Sequence, residues 1–157
     1  MTLGADLLTL TDEGLYCPQG GFHIDPTRPV ERALITHGHA DHARAGHGAV
    51  LASDETLKIM AVRYGEGFTG MRQRADVGET LDINGVLVSF HPAGHVLGSM
   101  QIRLERGATR VVVSGDYKRQ ADPTCAPFEP VACDVFITEA TFGLPVFRHP
   151  EARDEIA

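Results

Sequence analysis

His37-Gly38-His39-Ala40-Asp41-His42 packs four potential metal ligands into six residues, directly behind the apolar run Ala33-Leu34-Ile35-Thr36. In an extended segment residues two apart point the same way, so His37 and His39 can both face one ion. A turn into helix at Ala40 would carry Asp41 and His42 round to a neighbouring position. Imidazole and carboxylate without thiolate suit zinc, manganese or iron at a working site better than a structural zinc. Alone, a His-x-His pair reads as a polar surface loop. Here matching pieces recur downstream at strand ends.

Pro92-Ala93-Gly94-His95-Val96-Leu97-Gly98-Ser99 places a histidine in a glycine-flanked turn, where backbone can approach an ion closely. Val111-Val112-Val113-Ser114-Gly115-Asp116 then ends a buried type of strand on an aspartate. His95 alone would be a turn residue and Asp116 alone a cap. With the first cluster they complete a set for two ions.

Around these pieces the pattern is strand-rich. Leu7 to Leu10, Gly14 to Cys17, Phe22 to Asp25 and Ala33 to Thr36 read as short strands broken by Pro18-Gln19-Gly20-Gly21, Pro26 and Pro29. Ser53 reads as the N-cap of a helix carrying Leu57, Met60, Ala61 and Tyr64 on one face and stopping at Gly65. A polar stretch from Arg72 to Glu79 follows. Asn84-Gly85 between Thr80-Leu81-Asp82-Ile83 and Val86-Leu87-Val88-Ser89-Phe90 is a strong two-residue hairpin signal. Strands are expected at Ser99 to Leu104, Arg110 to Ser114 and Asp134 to Thr138, the last ending on Glu139, and Pro150 to Ala157 reads as a helix starting.

The chain has 157 residues, 43% hydrophobic and 22% charged, the make-up of one globular domain. No run approaches the roughly 18 apolar residues of a membrane helix, and Met1 to Gly14 lacks a secretory pattern, so no membrane association and a cytoplasmic location are expected. Cys17, Cys125 and Cys133 have no C-x-x-C spacing and read as small apolar residues. A net charge of -7 argues against a broad basic surface for a polyanion. His23, His47, His91 and His149 are expected to be structural or on the surface, although His47 is close enough to line a cleft. Lys118 and Arg119 could meet a phosphate, but basic residues after a strand are usually just solvated.

In this order and spacing, His37-x-His39-x-Asp41-His42, His95 and Asp116 resemble the metal-binding motifs of the metallo-β-lactamase fold, with Asp25 resembling its early structural aspartate. Ala93-Gly94-His95-Val96-Leu97-Gly98-Ser99, Ser114-Gly115-Asp116-Tyr117 and Thr138-Glu139-Ala140-Thr141-Phe142-Gly143 are similar to the β-CASP nucleases. Tyr16-Cys17-Pro18, Asp122-Pro123-Thr124-Cys125-Ala126-Pro127-Phe128-Glu129-Pro130 and Phe142-Gly143-Leu144-Pro145 resemble the bacterial ligase-associated DNA exonuclease group. The resemblance implies an α/β (α+β) fold in which residues 1–157 form the N-terminal part of an αββα sandwich, with an inserted β-CASP domain and a C-terminal return absent.

It also implies roles. His37, His39 and His95 would hold one ion, Asp41 and His42 would help hold a second, and Asp116 would bridge them; Asp41 and Asp116 would be catalytic. Asp25 and Glu139 would brace ligands from behind, and Lys118 would touch substrate. The cofactors would be two divalent metal ions, zinc first and manganese second. The partners would be DNA, with RNA as the alternative, and an ATP-dependent DNA ligase. The function implied is metal-dependent phosphodiester hydrolysis by a ligase-associated DNA exonuclease. A β-CASP ribonuclease, a small-molecule metallohydrolase and an inactive truncated fragment stand as alternatives.

Overall fold

Asn84 and Gly85 both take positive φ, 54° and 81°, the paired left-handed conformation that closes a two-residue hairpin without splaying its strands. They join β8 (Thr80–Ile83) to β9 (Val86–Pro92). Beyond β9, β10 (Met100–Arg106) and β11 (Thr109–Val113) continue the antiparallel run, and β12 (Val135–Ile137) adds in parallel to β11. This gives one sheet in the order β12-β11-β10-β9-β8. The protein is described by a computed structural model covering residues 2–3, 7–141, 143, 144 and 146. Phe142, Pro145, His149 and the helix expected from Pro150 lie outside the described residues.

The second sheet has seven strands in sequence order: β1 (Thr2–Leu3), β2 (Leu8–Thr11), β3 (Gly14–Cys17), β4 (Phe22–Ile24), β5 (Arg32–Leu34), β6 (His47–Ala52) and β7 (Thr69–Arg74). From β4 to β7 neighbouring strands are parallel. Their C-terminal ends therefore share one rim, where open α/β sheets characteristically assemble their sites. Leu8, Ile24, Leu34 and Leu51 from this sheet meet Val88, Phe90, Ile102, Leu104 and Val111 from the other in one apolar core. On the outer face α1 (Asp54–Tyr64) packs Leu57 and Met60 against Ala33, Val50 and Ala52. The architecture is mixed α/β, helix on sheet on sheet, the N-terminal part of the expected sandwich.

Beside the two-residue β1, which the sequence did not suggest, two longer strands depart from the sequence expectation. β6 was hidden because Gly48, Ala49 and Ala52 carry little strand propensity, yet its parallel pairing to β5 buries Val50, Leu51 and Ala52. β7, Thr-Gly-Met-Arg-Gln-Arg, falls partly in the stretch read as polar and irregular. It is a sheet edge with most side chains exposed, so no apolar alternation marks it. No helix starts at Ala40; the chain there makes a single turn closed by the Ala43 N–H to the His39 carbonyl at 2.7 Å. Within α1, Ser53 caps the helix by accepting the Thr56 N–H at 3.2 Å, as expected, but Tyr64 is exposed rather than on the core face.

His47 begins β6 buried, at 2% exposure. Its Nδ1 accepts the Val30 N–H at 3.3 Å, so the ring proton sits on Nε2, which is buried without a partner. Burial holds this imidazole neutral by pushing its pKa down. Cys17 is buried and Cys125 and Cys133 half-buried, all free thiols. Among the described residues no helix is long and apolar enough to cross a membrane.

Phe90, fully buried between the sheets, carries much of this core. Phe90→Ala is expected to lower the unfolding free energy by about 3–5 kcal/mol. Val62→Ala, at a position 90% exposed on α1, should change it by less than about 0.5 kcal/mol. Urea denaturation monitored by circular dichroism checks both.

Candidate metal centre

Asp25 ends β4 with φ 44°, a left-handed turn that presents its carboxylate across the rim to the next parallel strand. Oδ1 accepts the Thr36 N–H at 2.8 Å and Oδ2 the Thr36 hydroxyl at 2.6 Å. Oδ2 also takes His42 Nδ1 at 2.8 Å. The single Thr36 hydroxyl hydrogen goes to Asp25, so at its 3.1 Å contact with His37 Nδ1 the imidazole must donate. Both His37 and His42 are thereby fixed as Nδ1–H tautomers, each leaving a bare Nε2 lone pair. The loop that carries them is set by a residue 12 positions upstream of His37.

The lone pairs converge. His37 Nε2 lies 3.0 Å from His39 Nδ1 and 3.8 Å from Asp116 Oδ2, while His95 Nε2 lies 3.3 Å from His39 Nδ1 and 3.5 Å from Asp116 Oδ2. All four ligand atoms fall within 4.8 Å of one another. Ligands bound 2.0–2.1 Å from a tetrahedral zinc lie about 3.3 Å apart, so these spacings are close to the edges of a coordination shell. The other oxygen of Asp116, Oδ1, is 3.3 Å from His42 Nε2, which is 3.7 Å from Asp41 Oδ2. Asp116 thus faces two donor groups, one on each oxygen. The donor set and spacing fit divalent metal ions.

Two neighbouring structures hold the loops in place. Met100 N–H donates to the Thr36 carbonyl at 2.8 Å and ties the sheets together beside the site. Gly115 has φ 55°, and a side chain there would come within 2.6 Å of Thr36 Oγ1. Only glycine lets the chain leaving β11 pass so close to Thr36 and deliver Asp116. The His95 turn is pinned by Ser99 Oγ, which accepts the N–H groups of His95 and Val96 at 3.0 and 3.1 Å, and by Ser53 Oγ donating to the Gly98 carbonyl at 2.7 Å.

The electrostatics follow from this crowding. Burial, with the charge of His42, pushes His37 down to about 3, so it is neutral at ordinary pH. Burial likewise lowers His95. At His42 burial opposes the charged form, but its hydrogen bond to Asp25 and the charges of Asp25, Asp116 and Asp41 outweigh it and raise its pKa. Asp41 is 74% exposed; its partial desolvation is outweighed by a backbone hydrogen bond and the neighbouring imidazoles, which keep it ionised.

The remaining expected residues sit nearby in different ways. Glu139 lines the cleft of about 360 Å³ that opens beside Asp41, His42 and Asp116, but its carboxylate accepts the Thr141 N–H at 3.0 Å. Lys118 pairs with Asp122 at 3.2 Å. Thr36 and Ser99, which organise the site, escaped the sequence reading because a strand-end threonine and a turn serine carry no spacing signal of their own. The cleft also has an apolar wall of Leu10, Leu15, Ile24, Val113 and Ile137.

Comparison with known proteins places this geometry. The family model for the metallo-beta-lactamase superfamily matches residues 25–156. A probable DNA ligase of Opitutus terrae is 34% identical over 143 residues, covering 87% of this chain and 13% of that protein. Endoribonuclease ysh1 of Emericella nidulans is 37% identical over 178 residues, covering 86% of this chain and 20% of that protein. The chain thus spans about a fifth or less of these relatives' lengths. A Cronobacter sakazakii metallo-beta-lactamase, an S60 mutant with the HARLDQ motif, superposes with TM-score 0.51 at 16% identity, covering 74% of this chain and 57% of that one, a likeness of fold alone.

Asp25→Asn would turn one acceptor oxygen into an amide NH2 facing either the Thr36 N–H or both the Thr36 hydroxyl and the His42 N–H. Chelator-treated Asp25→Asn is expected to lose about 1–3 kcal/mol of stability. His42 has a raised pKa in the fold, so its contribution is full below about pH 6.5 and is lost as pH rises through the folded value. The gap between wild type and variant should therefore be widest on the acidic side of about pH 6.5 and narrow above it. Urea unfolding across that range, with a histidine NMR titration showing a lower His42 pKa in the variant, checks the sign.

Proposed function

The chain belongs to the metallo-beta-lactamase superfamily, and from that premise we propose that it is a metal-dependent phosphodiester hydrolase, a β-CASP nuclease that trims DNA ends beside an ATP-dependent DNA ligase. The observation that carries the reading is Asp116, with Oδ2 towards His37 and His95 and Oδ1 towards His42. On this reading His37, His39, His95 and Asp116 would hold one divalent ion, zinc or manganese, and Asp116, His42 and Asp41 would help hold another. Such a pair of ions would lower the pKa of a bound water towards neutrality and set positive charge against a phosphodiester attacked in line.

The chain's own groups do the rest. Asp41, ionised and exposed at the rim, accepts the proton of an attacking water or orients it. Asp25 keeps His37 and His42 in the tautomers that leave Nε2 free. The apolar residues of the cleft leave one side of the cluster without competing polar groups, and Glu139, which also lines the cleft, acts on His95 through its charge. Lys118, two residues past Asp116, meets a substrate phosphate by exchanging Asp122 for it. No serine or cysteine nucleophile is required.

DNA is favoured by the 34% identity to a protein named as a probable DNA ligase. Exonuclease polarity rests on the motif resemblance. The reading carries with it an inserted domain and a return segment outside residues 1–157, and a cytoplasmic location. RNA cleavage is the second reading, favoured by the 37% identity to a protein named as an endoribonuclease.

Elemental analysis of the purified chain is expected to find about two divalent ions per molecule. His39→Ala and Asp116→Ala should each lose metal and lower cleavage of single-stranded or duplex DNA about a hundredfold or more. Matched RNA strands cut in place of DNA would move the assignment to the second reading. Hydrolysis of thioesters or lactones, with nucleic acid untouched, would overturn both.

A further inference from the structure

Behind the His95 turn, on the face of the five-stranded sheet away from the core, three side chains form a hydrogen-bonded row. Ser89 Oγ lies 2.9 Å from His91 Nε2, and His91 Nδ1 lies 3.1 Å from Glu129 Oε1. The carboxylate only accepts, so Nδ1 carries the hydrogen and Nε2 takes the Ser89 hydroxyl's. The same row of atoms occurs in nucleophilic serine catalysis. Ser89, however, sits in the middle of β9 at 5% exposure, where no substrate carbonyl can be attacked.

What the row does connect is the metal-bearing backbone. Gln101, directly opposite His91 on β10 and fully buried, donates through Nε2 to the carbonyls of both Pro92 and Glu129, and the Glu129 N–H donates to the same Pro92 carbonyl at 3.1 Å. One turn further, the Lys118 N–H donates to the Ala93 carbonyl at 3.0 Å. Gly94, with φ 71°, lies so close to this crossing segment that an added Cβ would stand 2.4 Å from the Lys118 carbonyl oxygen and 2.8 Å from the Phe128 nitrogen. The segment from Asp116 to Glu129 therefore leaves the site, crosses behind the His95 turn and is fastened at its far end to β9 and β10.

We propose that Ser89, His91, Glu129 and Gln101 form a positioning clamp that locks the 117–129 segment against the His95 turn and so fixes the 3.5 Å approach of His95 Nε2 to Asp116 Oδ2. His95 and Asp116 follow the ends of different strands, β9 and β11, which are not direct neighbours but both pair with β10. To that ladder the clamp adds a tie at the ligand end, joining both sides through one segment. Its residues touch neither ion nor substrate. The inference rests on the metal-centre reading above.

The test is cobalt(II) binding to the metal-free chain, read by titration and by the visible d–d absorption, which reports ligand geometry without any turnover. Glu129→Ala is expected to weaken cobalt affinity about tenfold and to shift the absorption bands. Glu129→Gln, whose amide oxygen still accepts from His91, should restore both, and Ser89→Ala should weaken affinity less than Glu129→Ala. Ile83→Val, destabilising at the far end of the same sheet, serves as the control and should leave the spectrum unchanged. Wild-type affinity and spectrum in Glu129→Ala would overturn the clamp alone. Absence of cobalt binding by the wild-type chain would overturn the metal-centre reading and the clamp with it.

Discussion

The hydrogen bonds between the Asp25 carboxylate and Thr36 are the constraint on which the rest of the rim depends. They hold the segment between β5 and the histidine loop against the end of β4. From there the consequences branch. The Thr36 carbonyl receives Met100 of the opposite sheet, its hydroxyl receives His37, and its side chain leaves room only for glycine where β11 turns out towards Asp116. One threonine therefore touches every strand end that contributes a ligand group except the His95 turn, which begins beyond Met100's strand partner Pro92.

The charges at this rim make sense only together. Asp25 meets His42 at Nδ1 and Asp41 and Asp116 approach its Nε2, while His37 and His95 are pressed towards the neutral form by burial. Without a cation the carboxylates favour a proton on His42 and raise its pKa. A divalent ion in place of the proton would satisfy the same carboxylates and also the bare Nε2 atoms, which a proton on one ring cannot do. The overall charge of -7 is thus compatible with an anionic substrate at this one spot.

Much of the site was legible because metal chemistry needs several donors close in sequence or at strand ends. His37, His39, Asp41 and His42 announce themselves by density, and His95 and Asp116 by the glycines beside them. The hairpin at Asn84-Gly85 and the helix capped by Ser53 were legible for the same reason: a local conformation demands a particular residue. β7 was not, because an exposed edge strand of Thr-Gly-Met-Arg-Gln-Arg has no buried face to write an alternation into the sequence. Nor was the work of Thr36, Gln101 and His91. Their partners lie at distances along the chain that no periodicity encodes, and Gln101 reads as an ordinary strand residue until Pro92 and Glu129 are brought to it.

The candidate ligand groups are drawn from both sheets: His37, His39, Asp41 and His42, braced by Asp25, from the seven-stranded one, His95 and Asp116 from the five-stranded one. Apart from the apolar core, the sheets meet at this rim through Met100 to Thr36, Ser53 to Gly98 and the histidine and aspartate groups of the site. An ion gripped by His37 and His39 on one side and by His95 and Asp116 on the other is consequently a cross-link between sheets. Whatever binds the native arrangement and not the unfolded chain stabilises it by mass action. Metal binding and closure of the sandwich at this end are then one equilibrium. A change that loosens the rim, far from any ligand, weakens the ion's hold by the same free energy with which the ion tightens the rim.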